Sequence, residues 1–492
     1  MNKFVQATQQ TTLTENGAFA YNTAAQGALF DMFSVVGALR TRSEEEIVAK
    51  FKNAFVEDAL LATKLLFYAG NIRGGLGERR TFQICLNWLA QNHPEIAVKN
   101  IINVPHFNRW DILIKAMVDT PCEGSMWKAI SEQLEKDCFN FINKRPISLL
   151  AKWMPSINAS SAETKKLAKK AMKHLGARNE KEYRKVLHQL REYLKVVENQ
   201  MSHGKWEEIN YEGVPSYAMK RYAKAFATRD RERFVEYISQ VEKGEKKINA
   251  SVLYPYDLIE QYALGYWSRE DANSSEINSV IEAQWKALPN YMPEGTNAIV
   301  MADVSGSMIG RPMATSIGLA TYFAQHNHGD FKNLYMTFTD EPNFINISDC
   351  KTLYECIIKV MDTDVGYSTN LYAAFKRILQ MAIAFNIPQE DMPEALIVIS
   401  DMEINDYFKG RGLGFVEIVK KEFEEAHYTL PKLVMWNVSA RKDTFLTQSE
   451  DVILISGQSP SQFKYLTNCL NKTAYEMMLE VLNDPMYDRI KV

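Results

Sequence analysis

Asp303, Ser305 and Ser307 stand two residues apart in the run NAIVMADVSGSM, residues 297–308, and Thr369 and Asp401 follow at longer intervals. Two carboxylates and three hydroxyls make an all-oxygen donor set. Such hard ligands suit Mg²⁺, with Mn²⁺ or Ca²⁺ as alternatives, and not the zinc that Cys and His select. DxSxS alone is a weak signal, because a structural turn uses the same residues. Its force comes from all five positions falling in order, each at the end of a strand or in a loop before a helix. Other chemistries are poorly served. Neither serine has a histidine base evident in the sequence, and neither a GxSxG elbow nor an HExxH helix occurs. DxSxS also lacks the second acid that a phosphotransferase DxD places two residues after its nucleophile. His326 and His328 read as a solvated helix-end pair. The residues therefore predict a protein that is not an enzyme.

The donors need a scaffold, and the flanking patterns supply one. Ala298 to Ala302 is an unbroken apolar run ending at Asp303, which reads as a buried central strand. Gly306 permits a tight turn, and a helix is expected over 314–326. ALIVISD, which ends at Asp401, is a second buried strand, and Thr369 lies in VGYSTNLYAAF, a loop before a helix. Further strands are expected in FKNLYMTFTD, KLVMWNVS and DVILISG, alternating with helices near 351–361, 371–385, 415–427 and 459–470. A last helix is expected in TAYEMMLEVLND. Strand and helix in turn over 200 residues mean a mostly parallel, doubly wound α/β sheet. In such a sheet ligands collect beyond the strand C-termini, so three loops would bring the five donors together.

The first part of the chain has a different grammar. Residues 1–20 are polar and partly extended. From about 21 to 290 apolar residues recur at three- and four-residue steps, broken briefly by Gly, Pro or Asn. Ser43 ahead of three glutamates is a helix start of the capping type. Stacked helical pairs of HEAT type, closing into a ring or left as an open arc, account for this length without strands. The expected fold is thus α + α/β: a polar segment 1–20, a helical domain 21–290, and an α/β domain 291–492.

Charge divides along the same line. Residues 1–290 hold 40 Lys/Arg and 34 Asp/Glu, a net of +6, while residues 291–492 hold 17 and 26, a net of −9. The basic half is the candidate for polyanions. Between 151 and 200 the local net is +7, including Lys152, Lys166, Lys170, Arg184 and Lys185. Lys220 and Arg221 follow, interleaved with Tyr217 and Tyr222, and basic groups offset by aromatics suit single-stranded nucleic acid. In NIRGGLGERR, residues 71–80, Arg73, Arg79 and Arg80 flank glycines that would let backbone amides approach phosphate, the alternative being a turn whose glycines only allow tight helix packing. The GK[ST] ending of a nucleotide P-loop is missing. Arg109, beside Trp110, completes the candidate RNA contacts, with pairing to Asp111 as its alternative role. A solvated lysine face is the competing account of the Lys165–Lys173 run.

The six cysteines have no metal-ligand spacing and are expected to be reduced. No secretory leader or membrane-spanning run is evident, which points to a cytoplasmic protein with no membrane partner.

DxSxS, the later Thr369 and the strand-end Asp401 resemble the metal-ion-dependent adhesion site of von Willebrand factor A domains. The likeness extends over the last 200 residues. It implies that Ser305 and Ser307 bind the cation directly, that Thr369 and Asp401 do so directly or through water, and that Asp303 anchors the serines. An open position would then accept a carboxylate from a partner protein. The helical part resembles an uncharacterised family of plants and large-genome phages in which a helical region precedes such a domain. NGAFAYNTAAQGALFDMFSVVGALR, NIRGGLGERRTF, NRWDIL, LLAKWMPSINASSA, EYRKVLHQLREYLKVVENQM and VPSYAMKRYAKAFATRDRERF carry that likeness. In arrangement the chain is similar to the Ro autoantigen group, which joins a TROVE ring of helical repeats to a von Willebrand A domain. That resemblance implies binding of small structured RNA and of single-stranded RNA ends. A protein scaffold that captures an acidic residue at the cation is the alternative.

Overall fold

The computed structural model describes residues 10–263, 277–362, 369–405, 415–465 and 471–492. They pack as two compact units, one of Met1–Ala62, Gly74–Leu76 and Ala250–Asp484, the other of Thr63–Arg73, Gly77–Asn249 and Pro485–Val492.

The first unit begins with a two-stranded antiparallel hairpin, β1 (Thr11–Leu13) and β2 (Phe19–Tyr21). Its centre is a six-stranded sheet of β3 (Ala298–Asp303), β4 (Leu334–Phe338), β5 (Asn343–Asn346), β6 (Ala395–Ser400), β7 (Lys432–Asn437) and β8 (Ile453–Ser456). The strand order is β5-β4-β3-β6-β7-β8. All neighbours are parallel except β4 and β5. β3 and β6 are buried along their whole length, as unbroken apolar runs require of strands covered on both faces. After β3 the chain moves outward to β4, and after β6 it moves the opposite way to β7. Right-handed crossovers then put the helices Arg311–His326 and Phe415–Glu425 on opposite faces. The order reverses between β3 and β6, so a crevice opens at their carboxyl ends.

β5 has no counterpart among the strands expected from the sequence. NFIN is short and ends on an exposed asparagine, and pairing with β4, Tyr335 opposite Ile345, is what makes it a strand. The segment 459–470, expected as an α-helix, begins as a 3₁₀ turn at Pro460–Tyr465; 466–470 lie outside the described residues.

Composition changes near 290, but packing does not follow that line. Helix Ala28–Val35 buries Leu29, Phe30, Met32, Phe33 and Val35, and packs on β8 and on helix Ala474–Leu482. Gly37 lies so close to the end of β8 that an added Cβ would sit 2.5 Å from the Ser456 carbonyl oxygen. Helix Pro255–Ala263 packs along Arg311–His326, where Gly318 leaves only 3.0 Å between an added Cβ and Pro255. Apolar faces of helices on both sides of 63–249 thus cover the sheet unit. Ser43 caps helix Glu44–Glu57 as a capping box, its Oγ accepting from the Glu46 amide at 3.3 Å while Glu46 accepts from the Ser43 amide at 3.0 Å.

The second unit contains no strand among its described residues. Arg79–Asn92, Trp110–Met117, Glu123–Ile142, Ala162–His174, Glu180–Tyr193, Ser216–Arg229 and Arg231–Glu242 are its longer helices, and most pack against near neighbours in sequence. The chain's last residues close it. Tyr487 is fully buried, stacked on Phe107 at 5.5 Å, and its hydroxyl meets Asn71 Nδ2 at 3.1 Å. Asn103 and Asn100 hold the Arg489 and Lys491 carbonyls at 3.1 and 2.6 Å.

Candidate metal centre

Asp303 ends β3, the loop that follows carries Ser305 and Ser307 to the crevice, and Asp401 stands immediately after β6. Asp303 is wholly buried; its Oδ1 accepts from the Ser305 amide at 2.9 Å and its Oδ2 from Ser400 Oγ at 2.6 Å. That pair of bonds stitches the two switch-point strands together and fixes the serine turn. The three hydroxyls form a chain, Thr369 Oγ1 donating to Ser305 Oγ at 3.1 Å and Ser305 Oγ lying 3.2 Å from Ser307 Oγ. Asn405 holds Thr369 in place, its amide donating to the Thr369 carbonyl at 3.2 Å.

Asp401 is also fully buried. Its Oδ1 accepts from the Glu403 amide at 3.1 Å, whereas its Oδ2 is buried with no hydrogen-bond donor among the described residues. A buried carboxylate oxygen without a hydrogen bond is costly, and the positive group that meets it is the Arg441 guanidinium 3.8 Å away. Burial raises the Asp303 pKa, and the charge on Asp401 raises it further. Burial likewise raises Asp401, with Glu15 adding to the effect, while the Glu403 amide, the Ser307 hydroxyl and Arg441 act the other way. The site thus disfavours its own two negative charges, and a divalent cation would relieve that. Ser305, Ser307, Thr369 and Asp401 supply the hard oxygens such an ion prefers. Among the described residues no three or more His, Cys, Asp or Glu side chains are arranged to hold a metal ion, so the donor set is hydroxyl-rich and unlike a zinc site.

Several flanking residues escaped the sequence reading. Glu403, two positions after Asp401, is buried, and its carboxylate accepts from the Glu15 amide at 2.5 Å and from Thr444 Oγ1 at 3.0 Å. Asn16 Nδ2 donates to the Glu403 carbonyl at 2.5 Å, and Thr14 Oγ1 to the Ile404 carbonyl at 2.6 Å. The tip of the β1–β2 hairpin is therefore clamped onto the loop that bears Asp401. Arg441, on the β7–β8 connection, donates to the Ser307 carbonyl, lies 3.8 Å from Asp401 Oδ2 and pairs with Glu15 at 3.3 Å. Ser400 had a visible signal, a hydroxyl at the end of an apolar strand. Glu15 and Arg441 had none, since only the fold brings positions 426 residues apart into contact.

A family profile described as a domain of unknown function, DUF2828, matches residues 14–130 and 125–295, more than half of the chain. The chain belongs to the DUF2828 family. A second domain of unknown function, DUF7788, matches residues 297–484, from the start of the β3 region through the last helix of the sheet unit. The chain is also similar to "Uncharacterized protein L728" of Acanthamoeba polyphaga mimivirus, 28% identical over 512 residues and covering 96% of this chain and 87% of that protein.

The DUF2828 match contains every basic residue singled out for RNA, and all of them lie in the helical unit. That unit has 35 Lys/Arg and 22 Asp/Glu, a net of +13; the sheet unit has 22 and 38, a net of −16. Packing therefore separates charge more sharply than the cut at residue 290. Arg79, Arg80, Lys166, Arg184, Lys185 and Arg221 are exposed. Lys220 lies over the exposed ring of Tyr217 at 5.4 Å, and Arg221 over Tyr222 at 5.6 Å. Others are engaged. Arg109 pairs with Asp111 through bonds of 2.8 and 2.6 Å, Lys170 bonds Asp119 and Glu123, and Arg73 donates to the His106 carbonyl at 3.2 Å. Trp110 and Tyr211 are buried in the helical core. Lys152 borders a cavity together with Trp153. No helix among the described residues is long and apolar enough to cross a membrane, and the five described cysteines are free.

Proposed function

We infer that this chain is a non-catalytic binding protein of Ro type, with a HEAT-like helical body for RNA and a von Willebrand A domain whose adhesion site holds Mg²⁺. The observation that carries the reading is the meeting of Asp303, Ser305, Ser307, Thr369 and Asp401 at the switch point of the sheet, with Asp401 Oδ2 buried and lacking a donor. Order β5-β4-β3-β6-β7-β8 with one antiparallel edge strand supports the same domain type. A bound divalent ion would supply an electrophile for a partner's Asp or Glu. The chain's own residues orient the hydroxyls, keep the carboxylates dry and hold the three loops in register.

The RNA half of the reading rests on the +13 of the helical unit and on its basic groups set over the rings of Tyr217 and Tyr222. Phosphate neutralisation by several cations makes binding fall steeply with salt. Mobility-shift titrations with short single-stranded RNA at two salt concentrations test it: affinity should drop at least tenfold between about 50 and 200 mM salt. Absence of salt-sensitive binding removes RNA and leaves the protein scaffold. Manganese binding read by electron paramagnetic resonance tests the cation half, and Asp401→Asn should abolish it.

A further inference from the structure

The helical unit contains a cavity of about 450 Å³, within the size range of small-ligand sites. Its cationic lining is Lys115, Lys152 and Arg191, and its carboxylates are Asp111 and Glu198. Asp111 is already neutralised by the two-bond pair with Arg109, so the lining carries an excess of positive charge. Arg191 is the unusual member. Its Nε and Nη2 donate to the Ala151 and Met154 carbonyls at 2.8 and 2.9 Å, and its Nη1 to Ser156 Oγ at 3.1 Å. These acceptors are all neutral, and no carboxylate pairs with the guanidinium among the described residues. A partly buried charge without a counter-ion is held rigidly beside an open space, which is what an anion site requires. Lys115 and Lys152 border the same space, and among the described residues neither has a carboxylate within ion-pair distance.

The cavity also has an aromatic wall. Trp153 borders it, with the Arg109 guanidinium 4.1 Å and Lys152 Nζ 5.5 Å from the indole centroid. An adjoining cavity of about 370 Å³ shares Val196 and Asn199 with the first but is lined by Glu192 and Glu208 against a single Lys195. Anionic groups are thus favoured in the first space and disfavoured in the second.

We propose that this cavity binds one nucleotide, the phosphate meeting Lys115, Lys152 and Arg191 and the base packing against Trp153. The proposal rests on the RNA reading where the nucleotide belongs to a strand, but a free nucleoside monophosphate carries the same chemistry. Calorimetric titrations of the full chain with AMP, UMP, adenosine and inorganic phosphate separate these sources from a labelled decauridylate read by anisotropy. AMP or UMP should bind more tightly than adenosine or phosphate alone. Trp153→Leu should weaken the monophosphates at least fivefold, and the surface pair Lys115→Gln/Lys152→Gln at least tenfold, with far-ultraviolet circular dichroism unchanged. Salt-sensitive decauridylate binding without any AMP or UMP binding, and indifferent to both variants, overturns the cavity and spares the RNA reading. Monophosphate binding that both variants weaken, without decauridylate binding, supports the cavity for free nucleotides and removes the RNA reading. Binding of neither overturns both.

Discussion

Arg441→Gln should tighten divalent cation binding at the candidate centre. Asp401 Oδ2 receives no hydrogen bond, and the guanidinium 3.8 Å away is the cation that faces it. A divalent ion using that oxygen must overcome both the existing attraction and repulsion from Arg441. Two unit charges at this distance interact by about 4 kcal/mol at an effective dielectric near 20. Asp401 is buried but the Arg441 side chain is 37% exposed, so screening reduces the value to about 1 kcal/mol. At 1.4 kcal/mol per tenfold, the variant should bind Mn²⁺ or Mg²⁺ roughly fivefold more tightly. Calorimetry with Mg²⁺ and paramagnetic resonance of free Mn²⁺ both read this directly.

Arg441 also donates to the Ser307 carbonyl, so loop geometry must be separated from charge. Arg441→Lys keeps the charge and loses the fork. An equal gain in Arg441→Lys would assign the effect to geometry and refute the electrostatic account, as would unchanged or weaker binding in Arg441→Gln. Glu15→Gln gives the opposite arm. It releases Arg441 from its 3.3 Å partner and removes a nearby negative charge, and both changes should weaken cation binding.

The Asp303 pKa is raised by burial and by Asp401, so the folded chain holds that proton more tightly than the unfolded chain. Stability of the cation-free protein should therefore fall as pH rises from about 4 through the raised folded value; Asp303→Asn in chelator should flatten this part of the melting-temperature profile and raise it at pH 8. Added Mg²⁺ should stabilise the natural chain at pH 8 and leave Asp303→Asn unmoved in the same melts. Gly37→Ala forces a Cβ to within 2.5 Å of the Ser456 carbonyl oxygen, and urea titration should show a loss of about 1–3 kcal/mol. Tyr487→Ala removes a fully buried ring from between Tyr68 and Phe107 and should cost about 3–5 kcal/mol, read as earlier unfolding of the helical unit.

What could be read before folding followed from how local each signal is. β3 and β6 announce themselves because a strand covered on both faces must be apolar at every position, and five oxygen donors stand at fixed places relative to such strands. Ser43 with Glu46 is legible for the same reason, since a capping box spans only four residues. β5 was invisible because its strand character comes from pairing with β4 and not from its own four residues. The boundary at 290 marks a change of composition, whereas helix Ala28–Val35 takes its place from an apolar face that packs on β8 and helix Ala474–Leu482 as well as on its neighbour Glu44–Glu57.

Arg441, Glu15 and Glu403 mark the limit of that legibility and explain why the first prediction matters. Each is an ordinary charged residue in sequence, and each acquires meaning from a partner hundreds of positions away or from burial beside Asp401. The hairpin tip bonds the loop that carries Asp401, Asn405 joins that loop to Thr369, and Arg441 joins Glu15 to the Ser307 turn. A cation displacing Arg441 from Asp401 would strengthen its pull on Glu15, so the hairpin should feel the site's occupancy. Amide hydrogen exchange over residues 11–21 should then slow when Mg²⁺ is added, and Arg441→Gln should remove that response while binding the ion more tightly. Equal slowing in Arg441→Gln would show that protection travels through Glu403 instead.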